Sequence, residues 1–153
     1  MKNSDVLRSV RYLLNVSEQK IAEIIKLGGG EAGVLDLRDF LKKEEEEGSR
    51  ECPHELMAFF LNGLIISKRG KIENSPTPAL EIPITNNQVL KKLRVSFELK
   101  DEDIRSILSG LGHEISKSEL SAFFRKAGHP NYRPCGDQFL RNFLKGLTDL
   151  KRK

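Results

Sequence analysis

The chain has no tryptophan, and only two cysteines and three histidines among its 153 residues. Two thiols cannot staple a disulfide scaffold, which is cysteine-dense in small secreted domains. Three histidines leave little for general acid–base chemistry. Long apolar runs are also missing. The longest, 56–66, is 11 residues and contains Asn62 and Gly63, where a spanning helix needs about 20. The opening stretch, MKNSDVLRSVRYLL, is polar and amphipathic, without the apolar core of a signal peptide. The expected setting is the reducing cytoplasm, with no membrane contact. There is no GxSxG, Walker loop, GxGxxG or HExxH. Gly28–Gly30 lacks a following Lys-Ser/Thr, and Asp101 and Asp103 fall in a helical first turn, where the dipole accounts for carboxylates. These absences predict no enzyme, no cofactor and no metal.

Apolar residues make up 38% of the chain and charged residues 31%, mixed as in an ordinary globular protein rather than a disordered one. The net charge is +4, unevenly spread. Residues 1–70 carry 11 basic against 12 acidic side chains, and residues 86–153 carry 14 against 8. A basic half attracts polyanions at long range; the plainer reading is a lysine-rich solvated surface.

An internal repeat explains most of the pattern. Shifting the chain by 83 residues aligns 3–70 with 86–153 without a gap, and about 19 of 68 pairs are identical. NSDVLRSVR falls on NNQVLKKLR, Cys52 on Cys135, and FLNGL (60–64) on FLKGL (143–147). Tandem duplication accounts for this, and two copies are too few for a solenoid. The domain boundaries expected are 1–70 and 86–153, with 71–85 as a linker.

Each copy reads as four helices. The first carries Val6, Leu7, Val10, Leu13 and Leu14, or Val89, Leu90, Leu93 and Phe97, at helical spacing. The second carries Ile21, Ile24 and Ile25, or Ile104, Ile107 and Leu108, and stops at glycine. The third carries Leu37, Phe40 and Leu41, or Leu120, Phe123 and Phe124; Ser116 and Glu119 have capping-box spacing. The fourth, starting near Pro53 or Gly136, is the most apolar and belongs at the centre. Pro76, Pro78 and Pro83 deny residues 71–85 a helix. That segment is expected to be an extended strap, with the apolar side formed by Leu80, Ile82 and Ile84 lying on the helices. The Glu44–Glu47 run is expected at a solvated helix end. The fold class is therefore all-α: two tandem four-helix repeats packed as a pseudo-twofold bundle, joined by the Pro-rich strap. Gly63 and Gly146 are expected at close helix crossings.

The blocks VLRSVRYLL, CPHELMAFFLNGLIISKRGK, NNQVLKKLRVSFELKDEDI and CGDQFLRNFLKGL together resemble the YehS-like family of bacterial proteins (domain of unknown function 1456). The resemblance covers essentially the whole chain. It implies a bacterial, cytosolic protein carrying the domain twice, and it implies no activity, substrate or binding site.

Several residues stand out on their own chemistry. Cys52 and Cys135 sit at equivalent places before the fourth helix. A thiol there can be reactive through a lowered pKa, or can be a small semi-buried residue closing a helix junction, which is the role expected here. Arg11 and Arg94 lie at the edge of an apolar helical stripe, so each guanidinium needs a partner. Glu31, Glu114 or helix-end carbonyls are the expected ones. The second and third helices of the C-terminal repeat resemble a helix-turn-helix with a basic tail, although the intervening turn is long for that motif. Lys117, Arg125, Lys126, Arg133 and Arg141 are the expected nucleic-acid contacts. Two functions follow: a non-enzymatic protein acting through protein–protein contacts, and, alternatively, a DNA- or RNA-binding regulator using the basic repeat.

Overall fold

The computed structural model describes residues 1–70 and 79–152. Among them are eight α-helices and no strand. The chain divides into two compact units, Met1–Thr85 and Asn86–Lys153. The first holds α1 (Asn3–Leu14), α2 (Glu18–Leu27), α3 (Val34–Phe40) and α4 (His54–Arg69). The second holds α5 (Asn86–Ser96), α6 (Asp101–Ser109), α7 (Lys117–Phe123) and α8 (Asp137–Lys151). Every helix of the second unit starts 83 residues after its counterpart. The duplication is thus preserved to the residue at each helix start.

Local chemistry sets those starts. Ser17 Oγ accepts the Lys20 N–H at the head of α2, and Ser116 Oγ accepts the Glu119 N–H at the head of α7. Each satisfies an orphan donor of a first helical turn. At α6 the Asp103 carboxylate reaches back to the Lys100 N–H at 2.7 Å. Asn15 closes α1 in the left-handed region, as Glu98 does after α5, at φ 56° and 53°. Asparagine tolerates that conformation, whereas glutamate adopts it at a cost.

Both units bury one face of the fourth helix. Met57, Phe60, Leu61 and Leu64 of α4 are essentially inaccessible, as are Leu140, Phe143, Leu144 and Leu147 of α8. Each such side chain contributes about 1.5–3 kcal/mol relative to an exposed one. Around them pack Leu7, Val10, Ile21, Ile24 and Leu37, or Leu90, Leu93, Ile104 and Leu120.

Gly63 of α4 lies against α2. A Cβ added there would stand 1.8 Å from the Ile24 carbonyl oxygen and 3.0 Å from the Gly28 nitrogen. Gly28 is its mate, since a Cβ there would meet the Phe59 carbonyl oxygen at 1.9 Å. The second unit differs. Leu27-Gly28 is replaced by Gly110-Leu111, so a leucine stands where the glycine allowed contact. A Cβ on Gly146 would meet the Ile107 Cγ2 methyl at 2.4 Å, with the Ile107 carbonyl oxygen no closer than 3.3 Å. Two backbones touch in the first unit, while side chains separate the same helices in the second.

Two expectations need correction. The Glu44–Glu47 run is not a helix end: α3 stops at Phe40, and the run lies in turns beyond it. There the Glu46 carboxylate accepts the Lys43 N–H and Glu44 pairs with Lys2. Such local side-chain-to-backbone bonds compete with helix extension. In the linker, residues 71–78 lie outside the described residues. Residues 79–85 carry no helix, but Leu80 and Ile82 are exposed rather than laid on the helices. What fixes this end is backbone polarity: the Ile84 N–H donates to His54 Nδ1 at 3.0 Å.

Candidate functional site

The two cysteines sit in matched clamps. At the head of α1, Asn3 Nδ2 donates to the Cys52 carbonyl and Ser4 Oγ accepts the Cys52 N–H. At the head of α5, Asn86 Nδ2 donates to the Cys135 carbonyl and Asn87 Oδ1 accepts the Cys135 N–H. His54 and Asp137, which differ in type, play one part: each accepts from the asparagine of its unit, at 3.1 and 2.8 Å. The clamp ties the first helix to the chain entering the fourth.

Both thiols are buried, and burial pushes each up to about 12. A thiol with that value holds almost no thiolate at neutral pH, the reverse of what nucleophilic chemistry needs. Native thiols should therefore alkylate slowly at pH 8 and rapidly once guanidinium unfolds the chain. Rapid native alkylation would restore the reactive reading. The same shift makes stability pH-dependent. Below about 9 the thiols are protonated whether folded or unfolded. As pH rises from about 9 toward 12 the unfolded chain loses those protons first, so stability falls across that window.

Arg11 and Arg94 are paired, but not with Glu31 or Glu114. Arg11 Nη2 lies 3.4 Å from Glu18, and its Nε donates to the Val16 carbonyl. Arg94 Nη1 lies 2.8 Å from Asp101 Oδ1, with its guanidinium 4.5 Å above the Phe124 ring. Glu18 and Asp101 are the first residues of α2 and α6. Each arginine near the end of one helix therefore reaches across a tight turn to the next. Glu114 is taken by the Ser109 hydroxyl.

The expected nucleic-acid residues separate into two sets. Lys117, Arg125 and Arg133 gather, with Ser118, Ser121 and Asn131, around a depression of about 720 Å³ on α7 and its outgoing loop. Arg141 is elsewhere, on α8, 4.0 Å from Asp137 one turn before it. Lys126 is exposed in the loop and does not line the depression. Asn131 was not among the expected contacts; nothing in its local sequence marks it.

The matching surface of the first unit is neutralised. Lys42 Nζ lies 3.2 Å from Asp39, whose carboxyl it holds below the usual carboxylate range. Arg50 binds both Asp36 and Asp39. In the second unit Glu119 takes the place of Asp36, 3.9 Å from Arg133, but Ala122 takes the place of Asp39. One carboxylate that held two cations is therefore absent from the second copy. The backbone is unchanged: the Arg50 N–H donates to the residue-39 carbonyl, and the Arg133 N–H to the residue-122 carbonyl.

Duplicated helices, duplicated clamps and duplicated arginine–carboxylate pairs define an all-helical protein made of two copies of one domain. The chain belongs to the family described as Protein of unknown function (DUF1456), whose model matches residues 3–70 and 86–153. It is 47% identical over 148 residues to the Uncharacterized protein YehS of Escherichia coli (strain K12), covering 97% of this chain and 95% of that relative. No solved structure matches. Among the described residues, no helix is long and apolar enough to cross a membrane.

Proposed function

We propose that this protein is a non-enzymatic, cytoplasmic binding protein whose second repeat docks nucleic acid through the α7 depression. The observation that carries the reading is Ala122 in place of Asp39, which leaves Lys117, Arg125 and Arg133 facing one concavity with a single carboxylate, Glu119. Serine hydroxyls and the Asn131 amide add neutral donors of the kind that position a phosphate backbone. Contacts of this sort carry affinity rather than sequence choice.

Fluorescence anisotropy with labelled duplex and single-stranded oligonucleotides tests it. Three phosphate contacts on duplex DNA predict about a 40-fold loss of affinity between 50 and 200 mM salt. Arg125→Glu with Arg133→Glu should abolish binding while leaving the melting curve unchanged, since both side chains are exposed. Ala122→Asp should restore the neutralised arrangement of the first repeat and weaken binding about tenfold. Absence of binding at tens of micromolar protein in 50 mM salt would remove this reading.

Protein–protein contact is the second reading, and it rests on the first repeat. Where the second repeat has Lys117 and Ser118, the first has Val34 and Leu35 at the head of α3, with Leu27 at the end of α2; all three are exposed. A pull-down from cell extract with and without nuclease separates the two. Partners retained after nuclease favour this surface.

A further inference from the structure

The second unit contains a cleft of about 600 Å³ between α6 and α8, within the range of small-molecule sites. It opens where the helices part. In the first unit Gly28 and Gly63 bring the two backbones together. In the second, Leu111 replaces Gly28, and the Ile107 side chain fills the approach to Gly146. Phe97, Leu99, Ile107 and Leu111 give the cleft an apolar lining.

Its charge runs against its surroundings. The second repeat is strongly basic, yet Glu98, Asp103 and Asp149 line this cleft against one cation, Lys151. None of the three carboxylates has an acidic counterpart in the first repeat, where Asn15, Lys20 and Ile66 stand. Lys151 Nζ itself lies 5.5 Å from the centre of the Phe97 ring, so the aromatic wall already carries an ammonium group. Glu98 also holds a left-handed conformation that its counterpart Asn15 accepts more readily.

We infer that this cleft binds an amphipathic organic ammonium: an apolar body lying on Ile107, Leu111 and Phe97, and a cationic head among Glu98, Asp103 and Asp149. All lining residues come from the α5–α6 connection, α6 and the turn after it, and α8. That compact source suits a small molecule better than an extended macromolecular face. The site is separate from the α7 depression and stands whether or not nucleic acid binds there.

Titration of the full ¹⁵N-labelled chain with n-octylamine tests the inference, with 1-octanol and octanoate as matched probes lacking the positive charge. The expected result is saturable shifts at the amides of Ile107, Gly110, Leu111 and Gly146. Octanol should bind at least tenfold more weakly, the scale of a charge-assisted hydrogen bond, and octanoate should not bind. Glu98→Asn with Asp149→Asn should weaken octylamine at least tenfold and leave octanol unchanged. Because Glu98→Asn installs the residue of the equivalent first-repeat position, the double variant should melt no lower than the parent. Three results overturn the proposal: octanol or octanoate binding as tightly as octylamine, octylamine binding undiminished in the double variant, and no octylamine shifts at millimolar concentration.

Discussion

Gly63→Ala should destabilise the protein by about 3 kcal/mol, the upper end of the cost of overpacking a well-packed core. On the scale of a chain this size, that lowers the melting temperature by about 10 °C. The sign is the informative part. Glycine inside a helix is ordinarily worse than alanine by about 1 kcal/mol, so helix propensity alone predicts that Gly63→Ala stabilises. The contact geometry reverses this, because the new methyl would stand 1.8 Å from the Ile24 carbonyl oxygen, a backbone atom that cannot rotate away. Gly146→Ala is the internal control. Its nearest obstacle is the Ile107 Cγ2 methyl at 2.4 Å, a branch on a stiff χ1, while the nearest backbone atom stands 3.3 Å away. That variant should cost less than Gly63→Ala, because its clash is with a side chain and not with backbone. Thermal melts of both variants decide the matter, and a neutral or stabilised Gly63→Ala would mean that α2 and α4 do not meet as described.

This contrast marks the boundary of what the sequence shows. Helix starts were legible because apolar spacing, capping residues and the repeat all point to the same positions; four pairs of helices begin in register. The prediction that Gly63 and Gly146 both mark close crossings treats the copies as equal. They are unequal because a glycine can work only with a mate, and the mate of Gly63 is Gly28, a residue that reads as a helix stop. Moving that stop one position, to Gly110, leaves the cap intact and puts Leu111 at the crossing. A one-residue exchange that preserves hydropathy and capping is invisible to pattern reading, yet it changes how two helices meet.

The basic surface shows the same limit from the other side. Lys117, Arg125 and Arg133 were visible as charges near the third helix, and they do gather. Arg141, expected beside them, is carried by α8 to its own carboxylate at Asp137. The residue that distinguishes the two copies is an alanine. Ala122 has no chemistry to attract notice, and its meaning appears only beside Asp39, where one carboxylate is seen holding both Lys42 and Arg50.

Arg94→Met should destabilise the second unit by about 2 kcal/mol. Arg94 and Asp101 retain 30% and 26% of their side-chain exposure, between the surface pairs that contribute at most about 1 kcal/mol and the buried pairs whose breakage costs about 3–5. The Phe124 ring adds a contact of about 0.5–1 kcal/mol that methionine replaces only in part. The larger share of the loss comes from Asp101, left half-buried without its countercharge. That assignment has its own signature: Arg94→Met with Asp101→Asn should be more stable than Arg94→Met alone, because the second change removes the stranded carboxylate. Arg94→Lys should fall between, keeping the charge and losing the flat guanidinium that stacks on Phe124. Arg11→Met should cost less than Arg94→Met. Its partner Glu18 is more distant, at 3.4 Å, and Leu41 stands where the second repeat has Phe124. Chemical denaturation of the four variants reads the series directly. Equal losses at Arg11 and Arg94, or a double variant no more stable than Arg94→Met, would show that packing of the aliphatic stem, not the charge pair, holds the α5–α6 turn.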